Sequence, residues 1–165
     1  FGVLGACNGI GAFAGLYLVN ILRKRLSRGW IFSIGSIFQA SALFTFAFAT
    51  SWSYVFTLFS SSFSIAYPLA IILLILAGVG QAFFGVMQSA IILTAARDDM
   101  RDRAMGTLVL AIGTGPLGRL QIGSLTETFG APLALGLHTS VAVVAIAIIT
   151  ALLPGFRARL DDKEE

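Results

Sequence analysis

The chain has 165 residues, of which 57% are hydrophobic and 12% charged, and its mean hydropathy is +0.90. A water-soluble domain of this length needs a far more charged surface to stay dispersed, which argues against a soluble protein. The net charge of +3 does not point to nucleic acid, because the basic residues stand beside apolar runs, where anionic lipid headgroups explain them better.

A helix needs roughly 20 apolar residues to cross the hydrocarbon core of a bilayer. Charge-free runs cover residues 1–22, 29–96, 104–118 and 128–156. The fold class expected is therefore all-α, a polytopic transmembrane helix bundle occupying residues 1–156, followed by a polar tail at 157–165. The chain opens on Phe1 with no initiator methionine and no basic segment before the apolar run, so no complete secretory signal is present and upstream residues are expected.

In chain order, the first span covers about 2–22 and ends at the basic cluster 23–28. The second covers about 30–50. Residues 51–64 are serine-rich with Trp52, Tyr54 and several phenylalanines, a composition suited to a membrane–water interface. Tyr67 and Pro68 open a third span over 67–94, with proline tolerated in a first helical turn. It stops at the charged cluster 97–103. A fourth span covers 104–125 and a fifth 132–153, before Pro154 and Gly155.

Five spans put the basic clusters at 23–28, 97–103 and 157–163 on one side of the membrane, while 51–66 and 126–131 contain no Lys or Arg. A sixth span within 51–64 would separate the first cluster from the other two. The positive-inside rule therefore places the N-terminus of the chain outside and its C-terminus in the cytoplasm.

Small residues four apart let helix backbones approach closely. The first span carries Gly5 and Gly9, then Gly11 and Gly15, and the fourth carries Gly106, Gly113, Gly115, Gly118 and Gly123. Polar side chains at membrane depth are costly without a partner or water. Gln81 and Gln88, seven apart, share a helix face with Phe84 and Gly85. That stripe fits either a solute pathway or interhelical hydrogen bonding, and isolated Asn8, Asn20 and Gln39 fit packing.

Arg119 is the one charge well inside a span. It lies sixteen residues beyond Arg103, about 24 Å along a helix and toward the outer surface. Burial in lipid would cost roughly 2.5–3.5 kcal/mol on insertion scales, so Arg119 should face a wet cavity, snorkel outward or form an ion pair. His138, the single histidine, fits packing better than proton carriage. Cys7, the single cysteine, cannot form an internal disulfide and is expected packed in its helix. The residues offer no metal site, no nucleophile–base pair and no acid–base dyad, so neither an enzyme nor a cofactor is expected.

Three segments resemble the C-terminal half of a major facilitator superfamily transporter, from its eighth helix to its twelfth. Arg25-Leu26-Ser27-Arg28-Gly29 resembles the second-half copy of the family's cytoplasmic loop signature, with Lys24 where that signature has Asp and Ser27 where it has Gly. Asp98-Asp99-Met100-Arg101-Asp102-Arg103-Ala104-Met105-Gly106 resembles the loop between helices ten and eleven, with Asp102 in place of Gly. Gly113-Thr114-Gly115-Pro116-Leu117-Gly118, followed by Phe129-Gly130-Ala131-Pro132, is similar to helix eleven of the drug and siderophore exporter branch, which includes enterobactin-exporter-like and macrolide-efflux-like members.

The resemblance implies a secondary transporter in the plasma membrane, of bacterial inner-membrane type, that exports small amphipathic molecules. The partners implied are the bilayer, the missing N-terminal half of the protein and a small-molecule solute. Helix ten would contribute Gln81, Phe84 and Gln88 to the solute path, and helix eleven Arg119. If export is proton-driven, the titrating carboxylate lies in the missing half, since none sits within these spans. A solute-importing facilitator of the same superfamily and a non-transporting membrane assembly protein remain as alternatives.

Overall fold

The computed structural model describes residues 2–57 and 66–152, with the helix path but not the side chains of 50–57 and 66. The interfacial segment expected at 51–64 lies partly, and the cytoplasmic tail at 157–165 wholly, outside the described residues. The described chain is all-helical, with α1 (Gly2–Leu22), α2 (Arg28–Thr57), α3 (Ala66–Ala95), a 3₁₀ turn (Asp98–Met100), α4 (Arg101–Gly113), α5 (Gly115–Phe129) and α6 (Ala131–Leu152). Four of these, α1, α2, α3 and α6, are long and apolar enough to cross a bilayer.

Local chemistry explains the boundaries. Ser27 precedes α2, and its Oγ accepts the backbone N–H of Trp30 at 3.4 Å, satisfying an orphan donor of the first turn. Between α5 and α6 the chain turns on Gly130 alone, at φ 82° and ψ 154°, a backbone conformation restricted almost wholly to glycine. Pro132 then falls in the first turn of α6, where its missing N–H removes no helical bond.

The span expected over 104–125 is interrupted. Residues 104–125 do not form a single helix: α4 ends at Gly113 and α5 begins at Gly115, with Thr114 between them. Pro116 has no N–H to offer the carbonyl four residues back, and its ring crowds that carbonyl. Thr114 keeps near-helical dihedrals with its N–H on the Leu110 carbonyl at 3.2 Å, and the N–H of Leu117 meets the Thr114 carbonyl at 2.9 Å, a tightened three-residue spacing, so the interruption is one residue long.

Helix α3 is held between α1 and α2; α2 also packs on α6, α6 on α5, and α4 returns to α3. Glycines make the α1–α3 crossing close. A Cβ on Gly11 would meet the backbone of Ile75, one on Gly15 would stand 2.7 Å from both the Ala82 Cβ and the Val79 carbonyl, and one on Gly78 would meet the Asn8 carbonyl. On the opposite flank of α3, a Cβ on Gly80 would stand 2.6 Å from the Gly35 carbonyl of α2. Such approaches let apolar helices gain dispersion contacts where no hydrophobic driving force separates helix from lipid.

The apolar core of these three helices is Val19, Ile31, Phe83 and Met87, all buried. It sits at the end of the bundle that carries the 23–28 cluster. A polar tie joins α2 to α6, where Ser33, 1% exposed, lies 2.7 Å from the Thr150 hydroxyl. The Thr150 hydroxyl also reaches the Ile146 carbonyl at 2.7 Å, so Ser33 donates to Thr150 whenever the Thr150 proton goes to that carbonyl, and either hydroxyl can be the donor of the pair.

Candidate functional site

The break at Thr114 faces α3 across an open cavity of about 550 Å³. Phe84 and Gln88 supply the α3 wall. Thr114, Gly115, Gly118 and Gln121 supply the facing wall, with Ala111, Ile112 and Leu117 as its apolar part. The three-four spacing from Thr114 through Gly118 to Gln121 sets all three on one side of the α5 entry. Phe84 is braced from behind by Phe32 of α2, with ring centroids 5.3 Å apart, within the range of favourable aromatic pairing.

The expected solute-path residues do not all meet here. Phe84 and Gln88 line the cavity. Gln81 does not: its Oε1 accepts Asn8 Nδ2 of α1 at 2.9 Å, so of the two readings open for that face Gln81 follows the interhelical bond. Asn8 is its partner rather than an isolated packing residue. Arg119 is exposed on α5 and outside the cavity lining. His138 is exposed on α6, and Cys7 is buried in α1.

The glycines divide in the same way. Gly11 and Gly15 are in close helix contact, whereas around Gly5, Gly9, Gly106, Gly113, Gly115 and Gly118 nothing stands within 4 Å of where a Cβ would be. In the α4–α5 segment, glycine and Pro116 therefore coincide with a backbone break and an open wall rather than with a tight crossing. Thr114 and Gln121 were missed as wall residues. Their signal was present, since a polar side chain seven residues from a threonine, with a proline between, marks an interrupted helix with a polar face.

Of the loop residues, Arg25 and Arg28 are exposed and Gly29 is buried at the start of α2. Arg101 joins two helices: its Nε donates to the Leu93 carbonyl in the last turn of α3 at 3.2 Å, and its Nη2 lies 2.8 Å from Asp98. Arg97 pairs with Asp99 at 3.3 Å. A cation on the last carbonyls of a helix also complements its dipole. Arg103 and Gly106 are exposed. Among the described residues no three His, Cys, Asp or Glu side chains come together.

Long apolar helices whose outward faces remain apolar define a membrane-embedded helical protein. Phe13 is 78% exposed on α1, Leu110 74% on α4 and Leu120 70% on α5, surfaces that lipid or further helices must cover. Comparison with protein-family models, with curated proteins and with solved structures gives no match.

Proposed function

We propose that this chain is the C-terminal five-span portion of a major facilitator secondary transporter that exports small amphipathic molecules across the plasma membrane by alternating access. The observation that carries the reading is the cavity between α3 and the α4–α5 break, with an aromatic ring, two amides and a hydroxyl on its walls. Interrupted membrane helices are a recurring way to build a midplane solute site, because irregular backbone at membrane depth needs protein or a wet cavity beside it. In this reading α4 and α5 together cross the bilayer as one broken span.

The surroundings support the same assignment. The resemblance makes α1 and the α4–α5 segment the helices next to the missing N-terminal half, and both present uncovered apolar side chains. The basic clusters at 23–28 and 97–103 lie on the cytoplasmic side, with the chain's start outside. Phe84 and Gln88 contact solute, Gln81 ties α3 to α1, and Arg119 stands toward the outer surface.

The test is efflux of an uncharged lipophilic dye, Nile red, from preloaded cells expressing the full-length protein. Gln88→Ala and Phe84→Ala each abolish most of the efflux while the protein level in the membrane stays normal. The 165 residues alone transport nothing. Unchanged efflux in both variants, or efflux by the isolated chain, would refute the assignment, and accumulation in place of efflux would identify an importer.

A further inference from the structure

The cavity wall has an unusual combination for a membrane site: it is polar but carries no ionisable side chain. Among the described residues the polar groups on it are the Gln88 and Gln121 amides and the Thr114 hydroxyl, with Phe84 beside them. Arg119, the nearest charge in sequence, does not line it.

A charged group docking on this open wall loses part of its hydration and finds no counter-charge on it among the described residues. An uncharged group with one N–H or O–H and one acceptor loses far less. It regains its bonds from amides that both donate and accept, while its apolar body lies on Phe84 and the glycine-walled face of Gly115 and Gly118. From this we infer that the α3/α5 cavity is a subsite for the uncharged, hydrogen-bonding part of an amphipathic molecule, bracketed by Gln88 and Gln121, and that it discriminates against both anions and quaternary cations. The inference rests on the transporter reading for its role in transport, and on the wall formed by Phe84, Gln88, Thr114 and Gln121 for the binding preference.

Equilibrium binding to the full-length protein in nanodiscs, with empty nanodiscs subtracted, tests it with three naphthalene compounds. These are N-phenylnaphthylamine, uncharged with one N–H; anilinonaphthalene sulfonate, the same skeleton with an anionic group; and trimethylnaphthylammonium, a fixed cation. N-phenylnaphthylamine binds most tightly. Its single N–H bonds one of the two amides, so one of Gln88→Leu and Gln121→Leu weakens it about 5-fold, the equivalent of one neutral hydrogen bond. Gln88→Glu, which keeps the shape and adds a charge, reverses the order in favour of the cation, an effect that a merely structural role for Gln88 cannot produce. The inference is overturned if the sulfonate or the quaternary cation binds as tightly to the unaltered protein. It is equally overturned if both leucine variants bind N-phenylnaphthylamine like the parent, or if Gln88→Glu leaves the order unchanged. The two proposals fail separately: the expected preference without Nile red efflux removes the transporter and keeps the subsite, and efflux without the preference does the reverse.

Discussion

Replacing Gly15 with alanine probes the close crossing of α1 and α3 by a single methyl group. The new Cβ would lie 2.7 Å from the Ala82 Cβ, 2.7 Å from the Val79 carbonyl and 2.9 Å from the Val79 Cα, whereas carbon atoms pack best at about 3.5–4.0 Å. Two of these neighbours are backbone, so rotamer changes cannot relieve the clash and α1 must retreat by about 1 Å. A gap of roughly that size forfeits a quarter to a half of each dispersion contact along the crossing. The same retreat opens the neighbouring approaches of Gly11 to Ile75 and Gly78 to Asn8.

The expected net loss is about 2 kcal/mol, within the usual ~1–3 kcal/mol for overpacking. Alanine's better helix propensity, worth roughly 1 kcal/mol in water, offsets only part of the clash. Cys7 is a built-in reporter, since it is the only cysteine of the chain and 8% exposed on the same helix. If its thiol reacts through local opening of α1, maleimide labelling in mild detergent speeds up roughly 30-fold for about 2 kcal/mol lost. Gly5→Ala and Gly9→Ala, placed where a Cβ meets nothing within 4 Å, leave the rate unchanged or lower it. Equal acceleration by all three substitutions, or none by Gly15→Ala, would refute the crossing described for α1 and α3.

Further outcomes follow from the other contacts. In a double-mutant cycle of Ser33→Ala and Thr150→Val, read by denaturant unfolding in detergent, the coupling is about 0.6 kcal/mol, the average for hydrogen bonds between membrane helices; zero coupling would mean the α2–α6 hydroxyl pair does not form. Pro116→Ala restores an N–H to the broken segment and slows hydrogen exchange at 114–118, with a stability gain of about 1–3 kcal/mol; unchanged exchange would show that the break has another cause. Arg101→Ala removes both the Asp98 pair and the bond to the Leu93 carbonyl, but the guanidinium is half exposed, so stability falls by no more than about 1 kcal/mol. Ser27→Cys and Asp99→Cys label from the cytoplasmic face and Thr128→Cys from the opposite face of intact cells; labelling of the first two from opposite sides would overturn the membrane orientation proposed for the chain.

Composition and charge spacing alone dictate that the chain is helical and apolar enough for a membrane, and they mark the helix ends. Ser27, Pro68, Gly130 and Pro132 act through the backbone within one turn, which is why those boundaries can be read from residue order. Pro116 belongs with them, since the interruption at Thr114 follows from a missing N–H and needs no tertiary contact. Partner choice is different. Gln81 and Gln88 have the same chemistry and stand on the same helix face, yet one is tied to Asn8 and the other lines the cavity. Likewise Gly9 and Gly11 are two residues apart, and only Gly11 meets α3. Helix periodicity specifies a face, but where α1 crosses α3 and how far α5 stands from Gln88 depend on the fit of several helices at once. The tertiary structure therefore decides which amide holds the bundle together and which is left open to a ligand.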